Sequence, residues 1–152
     1  MTEIDKGFDS LYVRIWYHYS DVPKIQVVEI RKAIDEEWGC SYSLIEADSS
    51  ITQTRSFKRS VTTKFPYCGW KKFTDSLFKF NVTTLRSWKE IPSYESMTDG
   101  DWVHVEVAVG EIYRLYSFNY LKANSKIQDA VNMREIIRLI SNEMGVIPFS
   151  EI

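Results

Sequence analysis

The stretch from Asp101 to Tyr120, DWVHVEVAVGEIYRLYSFNY, constrains the fold of this chain more than any other. Val103, Val105, Val107 and Val109 alternate with His104, Glu106 and Ala108, the period of two expected of a strand with one buried face. Gly110-Glu111 then offers a two-residue loop with glycine first, as a type II′ turn requires, because its first central residue takes a positive φ. A hairpin with that tip has one register. Val109 faces Ile112, Val107 faces Arg114, Val105 faces Tyr116 and Val103 faces Phe118, so one face is a wall of valine, isoleucine and aromatic side chains. The other face sets Trp102, His104, Glu106 and Ala108 against Asn119, Ser117, Leu115 and Tyr113, and is too polar for a fully buried layer. On this reading Val105 and Phe118 are core, and Glu106→Gln is almost silent.

The rest of the chain is read against the hairpin. SLYVRIWYHYS alternates over about 11–19 and predicts a strand with Leu11, Val13 and Ile15 facing the core. Ser20 or Asp21 as a cap, Pro23 in a first turn, and Val27, Ile30, Ile34 and Trp38 at helical spacing before Gly39 predict an amphipathic helix over about 22–38. CSYSLIEA reads as a short strand and the polar residues behind it as a turn. ITQTRSFKRSVTTKF suits an exposed hairpin or a long loop, and Pro66 with Gly69 interrupts any regular element. Phe78, Phe80 and Val82 alternate with Lys79 and Asn81, which predicts a strand over about 76–86. Ser125 and Gln128 form a capping-box pattern opening a helix to about Met144, with Gly145 beyond it. Its predicted core stripe is Ile127, Val131, Ile136, Ile137, Ile140 and Met144. Pro148 excludes a long strand in the tail. The expected fold is α+β, a twisted antiparallel sheet with two helices packed on one face, in a single domain spanning residues 1–152.

Several classes of chemistry find no motif. There is no phosphate-binding glycine loop, no nucleophile elbow and no Cys/His cluster with zinc spacing, so neither cofactor nor metal is expected. His18 and His104 fall on the less apolar faces of their strands, with Glu106 beside His104. Such a set could serve acid–base transfer, but a strand histidine beside a tryptophan is more often a partly buried packing or hydrogen-bonding group, and that is the expectation here. Cys40 and Cys68, outside any CxxC spacing, are expected to pack as thiols. MTEIDKGFDS lacks the basic and apolar regions of a signal peptide, and no apolar run has the length of a membrane span. A cytoplasmic protein without membrane contact is therefore expected.

Charge is unevenly spread. Residues 51–90 hold 9 Lys/Arg against 2 Asp/Glu, between acidic flanks, while the whole chain carries −2. The segment from Arg55 to Lys89 interleaves basic residues with Phe57, Phe65, Tyr67, Trp70, Phe73 and Trp88, a composition that can bind nucleic acid. The acidic flanks repel a polyanion, so nucleic acid is the lesser expectation and a protein partner the greater. Nine tyrosines and five tryptophans supply residue types that concentrate at interface hot spots, and Tyr12, Trp16, Trp102 and Tyr113 among them fall by parity on sheet faces expected to be only partly covered. The candidate partner-binding residues are the acidic groups Asp35, Glu36 and Glu37, then Asp99 and Asp101, together with Trp102, His104, Glu106 and Tyr113 on the polar side of the hairpin.

In size, acidity, aromatic content and α+β architecture the whole chain resembles the immunity proteins encoded beside bacterial polymorphic toxins, those of contact-dependent inhibition and type VI secretion among them. The resemblance implies a non-catalytic inhibitor that binds a cognate toxin, commonly a nuclease, in a 1:1 complex. Its acidic surface would then match the toxin's basic cleft. The basic segment departs from that pattern and must face elsewhere or meet an acidic patch.

Overall fold

The computed structural model describes residues 8–19, 24–32, 37–48 and 56–146. Six strands, β1 (Phe8–His18), β2 (Lys24–Lys32), β3 (Gly39–Asp48), β4 (Ser56–Lys64), β5 (Trp102–Gly110) and β6 (Ile112–Asn119), form one antiparallel sheet in the order β4-β3-β2-β1-β5-β6. Two helices, α1 (Trp70–Lys79) and α2 (Gln128–Met144), pack on one of its faces. The fold is α+β with an open sheet. No described helix is long and apolar enough to cross a membrane.

The hairpin has the register its tip dictates. Val109 pairs with Ile112, Val107 with Arg114, Val105 with Tyr116 and Val103 with Phe118, and Gly110 takes φ 54°. β1 then lies between β2 and β5, pairing Val13 with both Ile30 and Val107, and Ile15 with both Val28 and Val105. These residues, with Phe73, Leu77, Met133, Ile136 and Ile140 from the helices, make one core.

Two expected elements are corrected. The helix expected over 22–38 is replaced by strand β2; residues 20–23 and 33–36 lie outside the described residues. Gln26 to Ile30 are buried consecutively, because β2 is covered on both faces, so its apolar residues do not alternate. The resulting spacing of Val27, Ile30 and Ile34 mimics a helical stripe, while Ile25, Val27, Val28 and Ile30 carry the β-branched preference for a strand. The strand expected over 76–86 is instead the end of α1 and a turn. Phe73 and Leu77, four residues apart, turn inward from α1, whereas Phe78 stays exposed; the alternation of Phe78, Phe80 and Val82 did not mark one face.

Smaller corrections follow. The expected Ser125–Gln128 capping box does not form: Ile127 occupies the cap position without a side-chain bond, and Gln128 Nε2 donates to Asn132 Oδ1 at 2.8 Å. The inward stripe of α2 is Ala130, Met133, Ile136, Ile140 and Met144, with Val131 and Ile137 half-buried. Gly145 ends the helix in the left-handed conformation at φ 57°. Of residues 51–65, read as an exposed hairpin or a long loop, Ser56–Lys64 form β4, which pairs antiparallel with β3, and 51–55 lie outside the described residues. The tail from residue 147 lies outside the described residues.

The two edges of the sheet differ. Residues 82–97 run beside β6, where Arg114 donates to the carbonyls of Thr83 and Leu85 at 2.6 and 3.1 Å. Tyr116 donates to the Val82 carbonyl at 2.6 Å, and the Ser117 N–H donates to Ser87 Oγ at 3.2 Å. At the opposite edge, β4 exposes its side chains from Phe57 to Thr63, and the cations Lys58 and Arg59 there disfavour strand-to-strand aggregation.

Candidate functional site

Strand parity places Tyr12, Arg14, Trp16 and His18 of β1 on the sheet face away from the helices. Beside them lie Glu29 of β2, Trp102, His104 and Glu106 of β5, and Tyr113 and Leu115 of β6. Arg14 sits directly between two carboxylates, since the ladder pairs it with Glu29 on one side and Glu106 on the other. Its Nε lies 3.2 Å from Glu29 Oε1 and its Nη1 3.0 Å from Glu106 Oε2. Tyr12 donates to Glu29 Oε1 at 2.6 Å and Ser41 to Glu29 Oε2 at 3.2 Å. Trp16 Nε1 donates to Glu106 Oε2 at 2.7 Å and Tyr113 to Glu106 Oε1 at 3.0 Å. The Arg14 guanidinium also lies over the Tyr12 and Trp16 rings, 5.3 and 5.8 Å from their centroids.

This network is buried although no described helix lies over it: Arg14 is 5 % exposed and Glu29 7 %. Tyr12 and Ala108 form a small second core with Tyr113 packed on it. Burial pushes the Glu29 carboxyl up, but the Tyr12 hydrogen bond, the Arg14 charge and the bonds from Ser41 and Arg14 outweigh it and hold its pKa below the usual carboxylate value. Glu106→Gln is therefore no longer expected to be almost silent, because it removes the charge that faces Arg14 Nη1 and offers an amide to the Trp16 N–H.

Around the network the face is aromatic and apolar. Trp102 stacks on His104 with centroids 5.8 Å apart and planes 2° from parallel, and Trp88 meets Trp102 edge-on at 6.0 Å. His104 Nδ1 bonds Ser117 Oγ at 2.7 Å; burial, then the charge of His18, lower its pKa. Both oxygens of Glu106 are bonded and His104 is half-buried against Trp102 and Ser117, whereas His18 is exposed. Two hollows of about 290 and 320 Å³ open on this face. The first is lined by Trp16, His18, Ile25, His104, Glu106 and Leu115, and the second is the polar one at β2, β3 and β4.

Of the candidate residues, Trp102, His104, Glu106 and Tyr113 share this face. The acidic ones are not brought together. Glu37 is exposed before β3, at the Arg31 and Gly39 end of the sheet, whereas Asp99 is exposed and Asp101 half-buried at the start of β5, at the His18 end. Asp35 and Glu36 lie outside the described residues. The basic segment is dispersed too. Arg59 points to the helix-free face, Lys71 pairs with Asp75 on α1 at 2.7 Å, and Arg86 reaches Asp129 of α2 at 2.7 Å. Its aromatics divide: Phe73 is core, Trp70 stacks on Trp38 at 6.1 Å, and Phe57 is exposed. Cys40 is buried, which pushes its thiol up to about 12, and Cys68 is a half-buried free thiol. Among the described residues no three His, Cys, Asp or Glu side chains gather to hold a metal.

Strand parity alone put Tyr12 and Trp16 on a partly covered sheet face, whereas Arg14 and Glu29 were not singled out from the sequence. The alternation of β1 carried three of the four, but Glu29 was hidden on the wet side of an expected helix. In comparisons with known proteins, no family model and no curated protein matches the chain.

Proposed function

We propose that this chain is a protein-binding module that holds a partner against its helix-free sheet face, and that the partner is a bacterial toxin blocked in a one-to-one complex. The observation that supports the binding surface is the composition of that face. Exposed Phe57 and Val61 on edge strand β4 and Leu115 on edge strand β6, at 62, 58 and 58 % exposure, share this face with Trp16, Tyr113 and the Arg14 network. Aromatic and arginine side chains already fixed by mutual hydrogen bonds lose little rotamer freedom on association, which lowers the cost of binding. The toxin as partner rests on the architectural resemblance and on the large share of tyrosine and tryptophan. On this reading the encounter takes place in the cytoplasm, a reducing compartment that would leave Cys40 and Cys68 as thiols.

The test is reconstitution with the product of the adjoining toxin gene. The expected result is an equimolar complex on size exclusion and loss of the toxin's activity at one equivalent. Purified protein that cleaves RNA, or that binds RNA or DNA with an affinity falling steeply with salt, would replace this reading with the nucleic-acid one.

A further inference from the structure

The second hollow on the helix-free face, about 320 Å³, has an uneven charge balance. Its walls are Arg31 and Glu29 of β2, Ser41 of β3, Arg59 and Thr63 of β4, and Tyr12 of β1. Arg59 is held across the strands, donating from Nε and Nη2 to Ser43 Oγ at 3.3 and 3.0 Å, with Nη2 3.7 Å from Glu29 Oε2. Glu29 is already engaged by Tyr12, Ser41 and Arg14. Arg31 is exposed at the mouth and makes no ion pair with any described residue. Among the lining residues two guanidiniums, of Arg31 and Arg59, thus stand against one carboxylate, of Glu29, which Arg14 already engages.

Gly39 lines the hollow beside Arg31, with which it pairs directly, and a Cβ there would meet Arg31 Nε at ordinary van der Waals distance, 3.8 Å. We infer that this hollow is a carboxylate site, in which an Asp, Glu or C-terminal carboxylate is bound by Arg31 and Arg59 with the Ser41 and Thr63 hydroxyls at its sides. A guanidinium matches the two oxygens of a carboxylate, and the pair is charge-assisted. A carboxylate suits the hollow better than a phosphate dianion because Glu29 forms part of the wall, and each additional negative charge meets its repulsion. The inference relies on the proposed toxin partner only for the source of the carboxylate: the toxin presents an acidic side chain here, at the end of the face opposite Asp99 and Asp101.

The site is tested on the whole chain without a partner, by titrating acetate, a monoanion, and, separately at matched ionic strength, inorganic phosphate. The Nε–Hε resonances of Arg31 and Arg59 are followed by NMR. Both should shift saturably with acetate. The midpoint should rise about tenfold in Arg31→Met and comparably in Arg59→Met, each of which loses one charge-assisted pair. Shifts that do not saturate, midpoints unchanged in both variants, or saturation with phosphate but not acetate would each overturn the inference. Because no toxin is present, these outcomes are independent of whether the toxin complex forms.

Discussion

Val105→Asp is expected to yield no cooperatively folded protein. Val105 of β5 is fully buried between Ile15 of β1 and Tyr116 of β6, in the core that Phe73, Met133 and Ile136 close from the helix side. A carboxylate there has no partner. It either ionises at a cost of several kcal/mol or protonates and leaves an unsatisfied acid, and in both cases a valine cavity contact is lost. A stability of about 5–15 kcal/mol, usual for a domain, does not absorb that together with disrupted packing of two neighbouring strands. The measurement is thermal melting followed by near-ultraviolet circular dichroism. A soluble variant melting like the parent would show that the β5–β6 register is wrong.

Arg14→Met is expected to be the next most damaging change. It leaves buried Glu29 and half-buried Glu106 facing each other across β1 without their shared cation. Breaking a buried pair from one side costs about 3–5 kcal/mol, and by the usual scaling for a chain of this size that lowers the melting temperature by roughly 10 °C. Arg59→Met removes a cation 3.7 Å from Glu29 but partly exposed, so it should cost less than about 1 kcal/mol. The pH dependence has a definite sign. The folded pKa of Glu29 is lowered, so its contribution is fully present above the ordinary glutamate value, about 4.3, and is lost as pH falls through the lowered one. The gap between parent and Arg14→Met should therefore be widest near neutrality and narrow below about pH 4. Equal melting temperatures at pH 7 would show that the network does not hold the face together.

The hairpin was legible because three independent signals agreed: a positive-φ glycine at the tip, period-two valines before it, and aromatics in register after it. β2 was not, and its burial explains why. A strand covered on both faces loses the alternation by which strands are recognised, and KIQVVEIRK then reads as a helical stripe. The same misassignment concealed the centre of the candidate site. Glu29 looked like one of several solvated charges of a helix, whereas a strand ladder places it directly opposite Arg14. Phe78 misled in the other direction, as an exposed aromatic on α1 that completed a spurious alternation with Phe80 and Val82. On the hairpin, parity alone grouped Trp102, His104, Glu106 and Tyr113 on one face. The separation of Glu37 from Asp99 and Asp101 follows from the strand order, which no local pattern encodes.

Leu115→Arg is the most direct test of whether the helix-free face is the binding surface. Leu115 is 58 % exposed on edge strand β6 and lines the hollow with Trp16 and His104, so an arginine there should leave the melting curve unchanged. Titrated against the cognate toxin by calorimetry, this variant should bind at least about tenfold more weakly, the effect of an unmatched charge in an apolar contact worth over 1.4 kcal/mol. Lys72→Glu, exposed on α1 at the other side of the sheet, should bind as the parent does. Parent-like binding by Leu115→Arg together with weakened binding by Lys72→Glu would place the partner on the helices and contradict the account.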